Sequence, residues 1–386
     1  YSRKKQGFSK SIKKTKPTNQ YKPLEYRSKN TNQIIMKLLK LFSTLFLTIH
    51  LSGCGEYFSS EVYVTGKVGE VVVVCDDAIW NSSFRSDLDS NLTRFIMPYF
   101  PDVATFEPIH YNKSNFVGAA KRHRNVLFLT IDPNHKGDKG KIQYRKGVWA
   151  TNQLVIEVVA KDYQQLVETF NSGGDEIHSK FEYEEWNRIR KHFGSKQNQA
   201  IDKQLKQNFS IHLDFPNASK IVSSRKNFYR IELPLATRPI EFVGESKQDL
   251  GAVFSGVMVY QYPYIDSNQF SVDQLLKARD TMLKYNVPHE IPGLYMGTQY
   301  NDFVYPEYSE STNFSKSING VEVRGMFEFK GRYRHSTGGA FWSFHFIHPK
   351  TEKIVCVSGY VDAPSTTSWT HAIREIQAIW KSVTIV

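Results

Sequence analysis

The chain has 386 residues, with 50 Lys and Arg against 38 Asp and Glu, 14% aromatic residues and three cysteines. Its formal charge of +12 is unevenly spread: residues 1–53 hold 12 of the basic residues and one acid, Glu25, which leaves 38 basic and 37 acidic residues from Cys54 onward. That near-neutral remainder removes any charge-based case for nucleic-acid binding.

Residues 1–35 are rich in Lys, Asn, Gln and Ser. They read as a non-native extension ahead of a natural start at Met36, with a basic arm as the alternative. Residues 36–53 read as a lipoprotein signal peptide. Lys37 and Lys40 give the positive start, and the apolar run 38–51 is shorter than the roughly 20 residues a bilayer span needs. The small Ser52 and Gly53 then precede Cys54. Cleavage is expected between Gly53 and Cys54, whose thiol takes a diacylglyceryl group. Two or more acyl chains make the anchor stable, at roughly 0.8 kcal/mol per buried CH₂. A plain signal peptide with an incidental Cys54 is the alternative. The implied address is a bacterial cell envelope, lipid-anchored, on the periplasmic face of the outer or inner membrane.

Residues 54–65 form a tether. Beyond it the pattern predicts an α+β fold: two lobes, 66–160 and 209–386, with largely antiparallel sheets packed by helices and joined by a helical connector, 161–208. The β-branched run 71–75 predicts a buried strand. Phe84, Leu88, Leu92, Phe95 and Ile96 recur at helical spacing until Pro98 and Pro101. Strands are expected at 106–111, 125–131 and 153–159. The connector carries helical periodicity at 162–170 and 175–193, with a break expected at Gly173-Gly174. Its charged residues Glu182, Glu184, Glu185, Arg188 and Arg190 suggest a solvated face. The second lobe predicts strands at 209–215, 227–233 and 252–261, then an amphipathic helix over 270–285. Three strands, 321–329, 340–348 and 353–361, precede a final helix over 369–383, and 348–353 is a hairpin turn. Cys75 and Cys356 sit in apolar strands and read as buried thiols, with one long-range disulfide open to them if the strands adjoin.

Few residues suggest chemistry. Asp76 and Asp77 follow a buried strand, where paired carboxylates can serve as acid and base; helix capping is the simpler role. His345 alternates with Trp342, Phe344 and Phe346 and so faces away from them. These three are the weak catalytic candidates. No metal-ligand spacing, Walker loop, dinucleotide fingerprint or nucleophile elbow is present, so no metal or cofactor is expected. Tyr295, Tyr300, Phe303, Tyr305 and Tyr308 form an aromatic segment containing Gly and Pro. Aromatics on a loop over a rigid sheet suit binding of a glycan, a peptide or another protein.

In order, the signal, GKVGEVVVVCDDAIW, RNVLFLTI, IPGLYMGTQY, VEVRGMFEF and STGGAFWSF…VSGYVDAP resemble a family of Bacteroidetes lipoproteins, the domain of unknown function 4837, over about residues 58–386. The resemblance implies an envelope address and brings no catalytic residues. The combined expectation is a lipid-anchored envelope protein that binds an unidentified envelope protein, glycan or peptide without catalysis. A periplasmic hydrolase with an unrecognised site is the alternative.

Overall fold

The computed structural model describes residues 62–97, 103–239, 250–300, 304–331, 338–363 and 369–386. Gly53, Cys54 and Phe303 lie outside these residues.

The first sheet grows from runs that offer no polar face. Val71, Val72, Val73 and Val74 in β1 (Glu70–Val74) are all buried, so both faces of the strand must be covered. Two helices follow, α1 (Asp77–Trp80) and α2 (Phe84–Leu92), then a ribbon of β2 (Phe95–Met97) and β3 (Val103–Ala104). Phe95 and Ile96, at helical spacing in the sequence, therefore lie in a strand. β4 (Glu107–Tyr111), β5 (Asn125–Ile131), β6 (Lys141–Lys146) and β7 (Leu154–Ala160) complete a sheet in the order β4-β1-β5-β7-β6. The first three pairings are parallel, and β6 alone runs antiparallel. Phe84, Leu88 and Leu92 pack one face with Phe106, Leu127, Ile156, Phe170 and Phe181.

The segment expected to connect the lobes begins with one 33-residue helix, α3 (Tyr163–Ser195), capped by Asp162, which accepts from the Gln165 N–H at 2.8 Å. Gly173-Gly174 does not break it. A Cβ on Gly173 would overlap Ile142 and one on Gly174 would overlap Asn91, so these glycines permit close approach of β6 and α2. Leu166, Phe170, Ile177 and Phe181 enter the first core, while Ile189 and Phe193 enter the second. Among the described residues no helix is long and apolar enough to cross a membrane.

The charged stretch of α3 is a correction to the solvated face expected from sequence. Glu184, Glu185 and Arg188 are buried. Glu185 Oε1 accepts from Asn125 Nδ2 at 2.6 Å and Arg188 Nη1 at 3.0 Å, with Arg124 Nε 3.1 Å away. Buried charges persist only when paired in this way. Burial pulls the Arg188 guanidinium down to about 10, and Glu185 opposes that pull.

The second lobe runs α4 (Gln199–Phe209), β8 (Ile211–His212), β9 (Lys220–Arg225), β10 (Phe228–Glu232), β11 (Ala236–Pro239), β12 (Leu250–Pro263), α5 (Val272–Asn286), β13 (Leu294–Gln299), β14 (Glu307–Thr312), β15 (Asn319–Gly331), β16 (Gly338–Ile347), β17 (Lys353–Asp362), α6 (Thr370–Lys381) and β18 (Thr384–Ile385). Nine strands make one sheet in the order β13-β15-β16-β17-β12-β10-β9, with β11 on β12 and β14 on β15. Every pairing in it is antiparallel. The fold is thus α+β, with antiparallel pairing throughout this larger sheet.

Alternation along the strands gives the large sheet two apolar faces. Trp342, Phe344 and Phe346 meet Ile376, Ile379 and Trp380 of α6, with Phe344 stacked on Trp380 at 4.8 Å. Phe341, Cys356, Tyr260 and Phe327 face the other way, under Leu275, Leu276 and Leu283 of α5. Each large apolar side chain covered in this way contributes roughly 1.5–3 kcal/mol. The first face also seats the other lobe. Arg374, fully buried, donates to Glu182 Oε1 at 2.6 Å and the Thr105 carbonyl at 3.2 Å. Trp186 Nε1 donates to Gln377 Oε1 at 3.0 Å.

Candidate functional site

Helix α5 is two-sided. Its inner positions, Leu275, Leu276, Arg279 and Leu283, are buried. Asp273, Lys277, the adjacent Asp280 and Thr281, and Lys284 follow one another at three- or four-residue steps along an adjoining stripe. With Leu276, that stripe walls a cleft of about 440 Å³ whose other side is Tyr295, Tyr300 and Tyr305. Tyr295 comes from β13, and Tyr300 and Tyr305 from the chain just beyond it. The size falls within the range of small-ligand pockets. A second cleft of about 290 Å³, lined by Tyr262, Gln269, Gln274, Ala278 and Met282, shares Lys277 and Thr281 with the first.

Three of the five expected aromatics therefore converge. Tyr308 lies on β14 and is exposed, outside the cleft. The Tyr305 hydroxyl donates to Asp273 Oδ1 at 2.9 Å, and this bond raises its pKa. Burial, followed by the charges of Asp280, Asp273 and Glu328, raises that of Tyr300. Both phenols hold their protons. Lys330 Nζ sits 4.2 Å from the centre of the Tyr300 ring, a cation–π contact. The helix half of the cleft is written in the charge period of residues 273–284, a signal that a search for apolar periodicity passes over.

The three weak catalytic candidates do not converge. Asp76 occupies the N-cap position of α1 without a side-chain cap bond, and both Asp76 and Asp77 are exposed. Asp77 instead accepts from Asn112 Nδ2 at 3.3 Å, with His110 Nε2 at 3.8 Å. They sit at the carboxyl end of β1 in the first sheet. His345 is buried in the second, under α5, where its Nε2 lies 3.0 Å from Ser343 Oγ.

His345 has a neighbour that the chemistry of the residues makes notable. It pairs across the strands with Cys356, and the Cys356 sulfur lies 3.6 Å from its Nε2. The hairpin turn at 348–353 fixes that register, so this pairing was legible in the sequence. A reactive thiol needs a lowered pKa and a base able to take its proton. Here burial pushes the Cys356 thiol up to about 12 and the His345 imidazole down to about 3. Both groups are neutral, and the pair is part of the core. Cys75 is also a free, buried thiol, pushed up to about 12 by burial and then by Asp76 and Asp77, and it lies at the end of β1 in the other sheet.

Residues 198–382 match the family model of a domain of unknown function, DUF4837, and residues 64–194 match that of a second, DUF8532. The resemblance drawn from sequence over most of the chain thus holds for the second lobe, and the first lobe matches a separate family. No curated protein matches the chain. Among solved structures, the Saccharomyces cerevisiae Ran-binding protein Mog1p is similar at 11% identity, over 46% of this chain and 90% of its own, with a TM-score of 0.27. The cyanobacterial PsbP protein CyanoP from Synechocystis sp. PCC 6803 is similar at 7% identity, over 44% and 92%, with a TM-score of 0.21. Likenesses this faint carry no inference about fold or function.

Proposed function

We propose that this chain is a lipid-anchored lipoprotein of the bacterial cell envelope, of the Bacteroidetes type, whose folded part binds a ligand and does not catalyse a reaction. The address rests on the leader ending at Cys54. The binding role rests on one observation: a single cleft gathers Tyr295, Tyr300 and Tyr305 against a stripe of charged residues on one helix. Aromatic walls with a few placed polar groups are what orient a bound molecule. The partner is an envelope glycan, peptide or protein reached from the periplasmic face of the outer or inner membrane. The hydrolase alternative has less to stand on, because Asp76 and Asp77 follow a strand of the first sheet while His345 lies in the second, and the Cys356–His345 contact is buried and neutral.

The test is photo-crosslinking in intact envelopes, with a probe placed at the rim of the cleft and labelled fatty acid supplied to the cells. The wild type should carry the label and yield a crosslinked adduct. Cys54→Ala should lose the label, and Tyr300→Ala should keep the label and lose the adduct. Label on Cys54→Ala would refute the anchor, and an undiminished adduct with Tyr300→Ala would refute the cleft.

A further inference from the structure

The charges around the cleft are not equivalent. Each carboxylate on the stripe is already engaged. Asp273 accepts from Tyr305, and Asp280 accepts the Thr298 N–H at 2.7 Å, with Lys330 Nζ at 3.6 Å and Arg279 Nη1 at 3.8 Å. The ammonium groups are not. Among the described residues Lys277 has no ion-pair or hydrogen-bond partner for its side chain, and Lys284 meets only the Tyr295 ring, at 5.8 Å. Beneath them lies Arg279, 1% exposed. Its Nη1 donates to Thr298 Oγ1 at 2.8 Å and its plane lies 3.7 Å from the Phe341 ring centre, while Nε and Nη2 are buried without a hydrogen-bond partner. A guanidinium so incompletely neutralised in a low-dielectric core projects positive potential toward the surface above it. Glu328 is the one further carboxylate whose charge Tyr300 feels. Four cations thus face three carboxylates. Glu328 does not line the cleft, and of the charged groups that do, the two left open to a ligand, Lys277 and Lys284, are both positive.

The edge of the sheet narrows the ligand further. An extended peptide adds to a sheet through free N–H groups on an edge strand. β13 is such an edge, but its outward donors are taken: Leu294 N–H by the Ile291 carbonyl at 3.2 Å, Met296 N–H by the Val287 carbonyl at 3.1 Å, and Thr298 N–H by Asp280. Recognition in the cleft must therefore run through side chains. Lys277 and Lys284 are seven residues apart, roughly 10 Å along the helix axis, with tyrosine rings opposite.

We propose that the cleft takes a small, ring-based organic anion, an acidic sugar or sugar phosphate, whose carboxylate or phosphate oxygens meet Lys277 and Lys284 while its ring lies against Tyr295 and Tyr300. The proposal rests on the binding role above and names its ligand class. The protonated Tyr300 hydroxyl adds a neutral donor to the same oxygens.

The test is calorimetric titration of the full chain with D-glucuronate, glucose 6-phosphate, glucose and glucosamine. At least one of the two acids should bind at millimolar concentration or below, and which one does separates carboxylate from phosphate. Glucose and glucosamine should bind at least about tenfold more weakly, as expected when a charged hydrogen bond is lost. Lys277→Gln and Lys284→Gln should each cost a similar factor, Lys277→Arg should keep the affinity, and rising salt should weaken binding. Both lysines are exposed, so unchanged circular dichroism and melting will show that the variants fold. The proposal fails if neither acid binds at millimolar concentration, if glucose or glucosamine binds as well as the acids, or if both Gln variants bind like the wild type. If it fails while the crosslink stays dependent on Tyr300, the ligand class falls and the binding role stands. If that dependence is also absent, both fall.

Discussion

His212 lies between two carboxylates, with Nδ1 2.6 Å from Asp202 Oδ1 and Nε2 3.1 Å from Asp214 Oδ1. Serving both acceptors requires a proton on each ring nitrogen, so the bonded form is the imidazolium. The bond to Asp214 raises the His212 pKa, burial opposes that rise, and Asp202 adds to it. Burial by itself would raise Asp202, but the hydrogen bonds from Lys206 and His212 outweigh it and hold the carboxyl below its ordinary value. The signs then follow. The stability His212 supplies is fully present below the ordinary imidazole value, about 6.5, and is lost as pH rises through its higher folded value. The share from Asp202 is present above the ordinary carboxylate value and is lost as pH falls through its lower folded value. His212→Asn should therefore cost more in urea unfolding near about pH 5.5 than near about pH 9. An equal cost at both would mean the ring is neutral in the folded protein.

At the scale of elements, a glycine on β17 sets how closely α6 packs on the large sheet. A Cβ on Gly359 would sit 2.5 Å from Ile376 Cβ, an atom fixed to the helix backbone that cannot swing aside. Gly359→Ala should lower unfolding free energy by about 1–3 kcal/mol, the usual cost of overpacking. Gly173→Ala is the internal comparison, since its new methyl meets only the tip of Ile142 and it gains helix propensity. It should cost less, and a loss as large as that of Gly359→Ala would show that α3 has no room to adjust. These two glycines also mark what a sequence can tell. The helices over 272–286 and 370–381 and the strands around 321, 340 and 353 were legible, because their apolar residues repeat at 3.6 or at 2. The continuity of α3 through Gly173-Gly174 was not, because the reason for those glycines is a neighbour far along the chain. Glu185 was read as solvated for the same cause: its partners Arg124 and Asn125 come from the strand region 60 residues earlier, and no local pattern announces them. Half of the cleft was visible in the tyrosines, and the other half needed the helix face that opposes them.

At the scale of the molecule, the family boundary at 194–198 falls between α3 and α4, yet the physical boundary is less clean. α3 matches with the first lobe but plants Ile189 and Phe193 in the core of the second. Arg374 of the second lobe hydrogen-bonds Glu182 and Thr105 of the first, and Arg324 Nη1 donates to the Ile96 carbonyl at 3.0 Å. Separating the lobes would bare Ile189 and Phe193, each worth roughly 1.5–3 kcal/mol when buried, and would break the Arg374–Glu182 pair. That is a large share of the stability of an ordinary domain. The described residues should therefore unfold in one step although two separate family models match them. Far-ultraviolet dichroism reports the backbone of both lobes, and the fluorescence of the six tryptophans reports packing on both sides of their junction, from Trp80 and Trp149 in the first to Trp342, Trp369 and Trp380 in the second, so the two signals should give the same midpoint in urea. Arg374→Met should lower both midpoints together. Two separated transitions, or different midpoints in the two signals, would mean that the lobes unfold independently. The cleft lies on the opposite face of the large sheet from this junction, so Arg374→Met should leave binding in the cleft unchanged wherever the protein remains folded.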